Sequence, residues 1–572
     1  LHIPVRDSPY RLSWLTQIGN RWHLRRAAWS RPPIGVLSTP EPWTIGQYDR
    51  GKQLVEGNFL MQGHIVEVGD GSVWDQPIPS DLFEAELHSF GWLDDLAAVG
   101  DNEARGRAQT WLLQWISKFG MGKGLGWNSN LTGRRLIRWI NHSIFIQKTL
   151  PKNSVNIFYY SMALQTVFLS RRWRQASTSM ERFEALSGLV CAGYSLVGME
   201  HLAVSGLKEL DVECESLVSS DGTLLSRNPE ELLNVFGLLI QIKITLDLVK
   251  AKTPQLLLKR IAVMAPVLRS LRHGDGTLAR FHGGGSGSEY FLDQTLAASG
   301  IRPTIPQDNA MGFSRFTSGA TAVIVDAEAP ASGPTSFNAH ASTGAFELST
   351  GRNPLIVSCG SGSSFGDDLH LAGRCTASHS TMTIEGVNSS WFSKSAQKHL
   401  SYLQDVPNIV KVKKTRAIDG VRLKINHNGY QGSHGLMHVR TMDLPVDGQS
   451  LAGEDELYPP QKKDMKQFDK MRGQHSGELK YAVQFHIHPD SQVSLIAGGL
   501  AVSLTLINGD IWVLRHDGSS ALSVEQSLYF DNNLLYPRKT SQIVLSGKIK
   551  EFTTRVRWSL AKSVEKSQEA TQ

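Results

Sequence analysis

The stretch Arg272-His-Gly-Asp-Gly-Thr-Leu-Ala-Arg-Phe-His-Gly-Gly-Gly-Ser286 divides the chain into two unlike halves. Before it, apolar residues recur at three- and four-residue spacing. Trp111, Leu112, Trp115 and Ile116 form one such stripe, and Leu136, Trp139, Ile140 and Ile144 another. Segments 156–170, 180–196, 229–251 and 256–271 repeat the pattern, which predicts amphipathic helices from about residue 80 to 300. Six or more helices in a row, with short connections, predict helical hairpins wrapped into a bundle or toroid. After the glycine-rich stretch the period changes. Short apolar runs bounded by Gly, Asn, Asp and Pro turns predict strands at 313–316, 320–326, 344–349, 354–358, 380–385, 410–415, 421–427, 436–442, 480–488, 493–497, 501–507, 511–515 and 542–545. So many strands without intervening helices predict a β-sandwich. Segment 443–477 is charged and strand-poor and reads as a long surface loop.

The chain of 572 residues is too long for one ordinary core. The expected division is an N-terminal extension packing on the helices (1–79), a helical domain (80–300) and a sandwich domain (301–572). A net charge of +6 is a mild basic bias over this length. It suits an acidic polymer as partner and gives no ground for nucleic acid. Four cysteines without a CxxC spacing argue against a zinc ribbon, a redox pair or a disulfide scaffold. The most apolar run, 232–249, is interrupted by Asn234, Gln241, Lys243 and Asp247 and reads as a buried helix, not a membrane span. No signal-peptide core is visible at the N-terminus. Arg11 to Arg26 instead mixes Trp14, Leu15, Ile18, Trp22 and Leu24 with arginines. Such a basic amphipathic segment packs on the body of the protein or makes peripheral contact with a membrane.

Candidate site residues cluster in a few places. Asn338 and His340 stand two apart before the run Phe346-Glu-Leu348. On a strand they would share a face about 6.5–7 Å apart, with Glu347 facing out. The pair fits a substrate subsite, a metal site or a satisfied core histidine. Arg134 and Arg138 share one helix face, and His142 lies beside Trp139 on another; with Trp127 they suit a sugar acid, since Arg grips carboxylates and Trp stacks on rings. His273, Arg280 and His282 sit in the glycine-rich link between the halves, where loops on a rigid scaffold carry function. Asn228 and Glu231 flank the helix start at Pro229 and suit either a subsite or simple capping. His427 and Tyr430, in His-Asn-Gly-Tyr, suit either a turn or a cleft wall.

Several motifs, in order, resemble the heparinase II/III-like polysaccharide lyases. They are His340-Ala-Ser-Thr-Gly-Ala-Phe-Glu-Leu348, Pro354-Leu-Ile-Val-Ser-Cys-Gly360, Thr376-Ala-Ser-His-Ser-Thr-Met-Thr383, His427-Asn-Gly-Tyr430 and His438-Val-Arg440. In the helical half the resemblance rests on 127–141, Phe183-Glu-Ala-Leu186 and 219–229. It implies an (α/α) toroid joined to an antiparallel β-sandwich, with the active site in the cleft between them. It also implies β-elimination on an acidic, uronic-acid-containing glycan: a donor neutralises the carboxylate, a base takes the C5 proton, and an acid protonates the leaving oxygen. On this resemblance the catalytic set is drawn from His340, His379, Tyr430 and His282, with Asn338 or Asn128 as carboxylate neutraliser. Periplasm or cell envelope is the implied compartment. No cofactor is required, although His340 and His379 stand where the family places ligands for a structural zinc or calcium. The chain departs from the pattern at three places. Asn338 replaces the first His of the family's His-x-His, Ser358 its metal-binding Asp, and Glu231 its Tyr. An amide cannot act as a base, and two imidazoles without a carboxylate make a poor zinc site. A lyase and a catalytically degenerate glycan-binding or envelope-assembly protein of the same fold are therefore both expected readings.

Overall fold

Tryptophans organise the helical half. Trp92, Trp111, Trp115, Trp127 and Trp139 are all essentially out of solvent. Trp115 and Trp139 meet edge to face at 5.5 Å, an arrangement the ring quadrupoles favour. The computed structural model describes residues 13–27, 35–38, 46–287, 290–302, 309–333, 336–394, 401–532 and 534–563. Helices run from Trp14–Ala27 to Phe291–Ala298, and their starts are chemically marked. Thr178 and Glu181 form a reciprocal capping box for Ser179–Ser195. Asp101 caps Asn102–Phe119, and Asn228 caps Pro229–Leu248 with proline at the first helical position. Helices Ser129–Asn141 and Ser179–Ser195 cross at two glycines. A Cβ on Gly188 would lie 2.3 Å from the Gly133 Cα, so a larger residue would force them apart. The paired helices make the (α/α) toroid. Among the described residues no helix is long and apolar enough to cross a membrane.

The C-terminal half is built on two large antiparallel sheets, beside a small two-stranded one, Trp391–Phe392 with Leu403–Asp405. One has eight strands, in the order Val410–Ala417, Gly420–Tyr430, Leu436–Pro445, Ser450–Tyr458, Thr554–Lys562, Ile511–His516, Ala501–Thr505 and Gln492–Ile496. The other has nine and includes Asn353–Val357, Phe346–Thr350, Thr321–Asp326 and Phe313–Ser318 side by side. Their inner faces share a core in which Phe346 stacks on Trp558 at 5.7 Å. Leu348, Leu423, Leu451, Val483, Trp512 and Leu560 fill it, each burial contributing about 1.5–3 kcal/mol.

Segment 443–477 is not a loop. It holds the strand Ser450–Tyr458 and the helix Lys462–Gln474. Its acidic residues look solvated in sequence but are cross-strand partners: Glu454 pairs with Arg557 and Glu456 with Arg555. All four cysteines are free.

Candidate functional site

The glycine-rich link folds back on itself where the halves meet. His273 N donates to Thr277 O, and Ala279 N to Leu271 O. It is fastened to the sandwich by a carboxylate. Glu347, expected to face out, is buried, and its Oε2 accepts from His273 Nε2 at 3.0 Å and from Arg280 N at 3.1 Å, while Oε1 accepts from Ser358 N at 3.2 Å. The alternation of Phe346–Thr350 is real, but both faces of the strand are covered. Phe346 and Leu348 meet the second sheet, and Glu347 and Ser349 meet the link.

A second carboxylate, Asp326, lies beneath the link. Its Oδ1 pairs with Arg227 Nη2 at 2.5 Å, and its Oδ2 accepts from Ser342 Oγ at 2.6 Å and lies 3.4 Å from His282 Nε2. Burial by itself would raise this carboxyl, but the Arg227 charge and the hydrogen bonds from His282 and Ser342 hold it well below the usual carboxylate range. His282 Nδ1 accepts from His340 N at 3.1 Å, and His340 Nε2 accepts from Gly283 N at 2.9 Å. The His340 and His379 rings lie 4.9 Å apart. Burial lowers all three imidazoles, His379 to about 3 and His340 well below its ordinary value. The cluster is thus neutral, and none of its members reaches solvent. Asn338 does not share a strand face with His340. The segment is a turn, Asn338 is exposed, and Gly283 approaches so closely that a Cβ there would lie 2.7 Å from Asn338 Cβ.

The zinc or calcium expected here does not fit these residues. His340 Nε2 already accepts the Gly283 amide, Ser358 supplies no carboxylate, and among the described residues no group of three or more His, Cys, Asp or Glu could hold a metal ion.

The start of helix Pro229–Leu248 forms the toroid side of the junction. Asn228 Oδ1 accepts from the backbone of Glu230 and Glu231, so it caps. Glu230 accepts from Gly285 N at 2.8 Å. Burial raises the Glu230 and Glu231 carboxyls above their ordinary value, and the Gly285 amide and Arg280 charge partly offset this at Glu230. Arg280 lies over the Tyr529 ring at 3.8 Å and donates to Phe530 O. Glu230, Arg280, Ser286, Tyr529 and Asn532 line a small recess of about 70 Å³.

The remaining expected residues lie elsewhere. Tyr430 is fully buried, its hydroxyl donating to Met382 O at 2.7 Å, and burial raises its ionisation. His427 is buried against His438 Nδ1 at 3.0 Å, and His438 in turn meets Asp455. Both belong to the sandwich interior and do not line the cleft. Arg138 and His142 both bind Asp94, Arg134 binds Glu86, and Trp127 donates to Phe119 O. These are internal pairs of the toroid, not an open sugar-binding face. Asn128 precedes helix Ser129–Asn141, in a crevice shared with Thr16 and Asn20. Sequence reasoning missed Arg227, Asp326, Glu230 and Glu347. The only available signal was charge inside or beside apolar runs.

Residues 302–559 match the family described as "Heparinase II/III-like, C-terminal". The chain is 30% identical over 564 residues to FtsZ-localized protein C of Caulobacter vibrioides, covering 95% of this chain and 93% of that protein. Among solved structures, heparinase III superposes with a TM-score of 0.69 at 15% identity, over 96% of this chain and 89% of that one. A mutant of the heparan sulfate lyase HepC from Pedobacter heparinus gives 0.57 at 16% identity, over 95% and 87%. These two likenesses establish a shared fold, a helical toroid followed by a β-sandwich. With that fold, the sandwich match and a relative similar along nearly its whole length, the chain belongs to the heparinase II/III-like family.

Proposed function

We propose that this protein binds an acidic glycan at the junction of toroid and sandwich without cleaving it, as an envelope-assembly protein that has kept a lyase fold. One observation carries the reading. The residues that would supply a base are sealed: His282, His340, His379 and Tyr430 are at most 1% exposed. The residue that is exposed where a base is needed, Asn338, cannot take a proton. The name of the Caulobacter vibrioides relative connects that protein with FtsZ, which accords with an assembly role and does not call for glycan turnover.

The helix Trp14–Ala27 supports a peripheral membrane contact within the same reading. It buries Asn20, Leu24 and Ala27 against the toroid but leaves Trp14, Leu15, Ile18 and Trp22 exposed, flanked by Arg21, Arg25 and Arg26. Arg11 lies outside the described residues. An aromatic face rimmed by arginines suits the headgroup region of an anionic bilayer.

A lyase remains the second reading because Glu230 and Glu231, with carboxyls raised by burial, stand at the toroid side of the junction. Such carboxyls are closer to the working range of a general base. The test is ultraviolet absorbance of the unsaturated uronate product against a panel of acidic polysaccharides, with calorimetry in parallel. Binding without absorbance supports the assembly reading. Absorbance that disappears in Glu231→Gln overturns it in favour of the lyase.

A further inference from the structure

A second recess lies on the sandwich, apart from the residues of the junction. Its volume is about 490 Å³, within the range of small-ligand sites, and it is lined by Ser389, Trp391, Asp405, Asn408, Asn428 and Ser433. Three features of the fold build it. The strands Trp391–Phe392 and Leu403–Asp405 pair so that Trp391 and Asp405 are opposite each other. Gly420–Tyr430 then carries one extra residue against its neighbour between His427 and Tyr430, a bulge that frees Asn428 and Gly429 from regular pairing. Finally, Gly429 lets the bulge press on the recess wall, since a Cβ there would lie 2.5 Å from Ser389 O.

The polar groups are held in place before any ligand arrives. Asn428 Oδ1 accepts from Ile409 N at 3.0 Å, and its Nδ2 donates to Asn408 Oδ1 at 2.6 Å. Ser389 N donates to Thr376 Oγ1, and Ser389 Oγ to Ala341 O, next in chain to His340. Trp391 is 46% exposed, a large apolar ring left in water at the edge of a polar hollow. Among the described residues the lining contains a carboxylate and no lysine or arginine.

We propose that this recess is a saccharide subsite for a neutral pyranose, with Trp391 stacking on the sugar's C–H face and Asp405, Asn408 and Asn428 bonding its hydroxyls. Rings that offer one apolar face and a rim of hydroxyls match an exposed indole beside fixed amides and a carboxylate. A uronate or sulfated sugar is disfavoured, because its charge would meet Asp405 and no cation among the described lining residues balances it. The recess therefore differs in charge preference from the junction and does not depend on the reading of the junction.

The test is calorimetry and saturation-transfer NMR on the full chain. The probes are the trimer of N-acetylglucosamine, cellotriose, maltotriose and a heparan-derived uronate disaccharide. At least one neutral trimer is expected to bind, about tenfold or more weaker in Trp391→Ala, with Trp391→Phe retaining most of the affinity. Glu230→Gln, at the junction, should leave this binding unchanged, so failure at one site is distinguishable from failure at the other. No binding by any neutral trimer, equal binding in Trp391→Ala, or loss of uronate binding in that variant would each overturn the proposal. Circular dichroism of the variants guards against mere unfolding, and Asn428→Ala gives a second, independent loss.

Discussion

Arg227 Nη2 and Asp326 Oδ1 lie 2.5 Å apart, both side chains out of solvent, and they join the toroid to the sandwich. Arg227 also donates to the carbonyls of Met311, Gly312, Glu328 and Ala329, so its guanidinium is fully used. Breaking a buried pair leaves one charge uncompensated, at a cost of about 3–5 kcal/mol. Asp326→Asn should therefore lower the denaturant midpoint of the whole chain, and more than Glu454→Gln, whose partner Arg557 is exposed. Equal shifts in the two variants would show that the junction does not carry this energy.

The buried imidazoles predict acid lability. A histidine with a folded value below its unfolded one binds fewer protons when native, so stability falls as pH falls. For His379 the window runs from its ordinary 6.5 down to about 3. Within that window His379 contributes a slope of at most about 1.4 kcal/mol per pH unit; His282 and His340 act in the same direction. Asp326 adds a loss at lower pH: its contribution is present above the ordinary carboxyl range and disappears as pH falls through its depressed folded value. Urea unfolding at several pH values should show the decline, and His379→Leu should flatten it. A wild-type midpoint unchanged between neutral pH and about pH 5 would contradict the neutral, sealed cluster.

Tyr430→Phe separates a base from a buried hydrogen bond. The structure predicts a stability loss of about 1 kcal/mol from the orphaned Met382 carbonyl and no change in glycan binding. Thermal unfolding with calorimetry reads both quantities. A drop in affinity with unchanged stability would place the phenol in the binding site.

Glu347→Ala should loosen the link more than the sandwich. Three donors lose their acceptor: His273 Nε2, Arg280 N and Ser358 N. Hydrogen exchange should accelerate through 272–286 while the core strand Leu479–Ile487 stays protected. Uniform acceleration across both would mean that Glu347 supports the sheet and not the link.

Much of this was legible in the residues. Three-to-four spacing around Trp111, Trp115, Leu136 and Trp139 gave the helices, because a helix must bury one stripe. The strands Thr321–Asp326 and Leu436–Pro445 were legible from their apolar runs and turn boundaries. Ser450–Tyr458 was not, because its exposed glutamates look solvated until Arg555 and Arg557 arrive from a strand about a hundred residues later. Glu347 was misread for a related reason. Alternation reports two faces but not what covers each, and here the link covers the polar one.

By itself the sequence determined the order of the halves, their periods, the glycine-rich link between them and the family motifs. These are local properties, written in spacing and side-chain type. Only the tertiary structure decided which polar residues meet solvent. His340, His379 and Tyr430 became interior groups and Asn338 an exposed one. Burial is set by what distant segments lay over a residue, and no local pattern carries that.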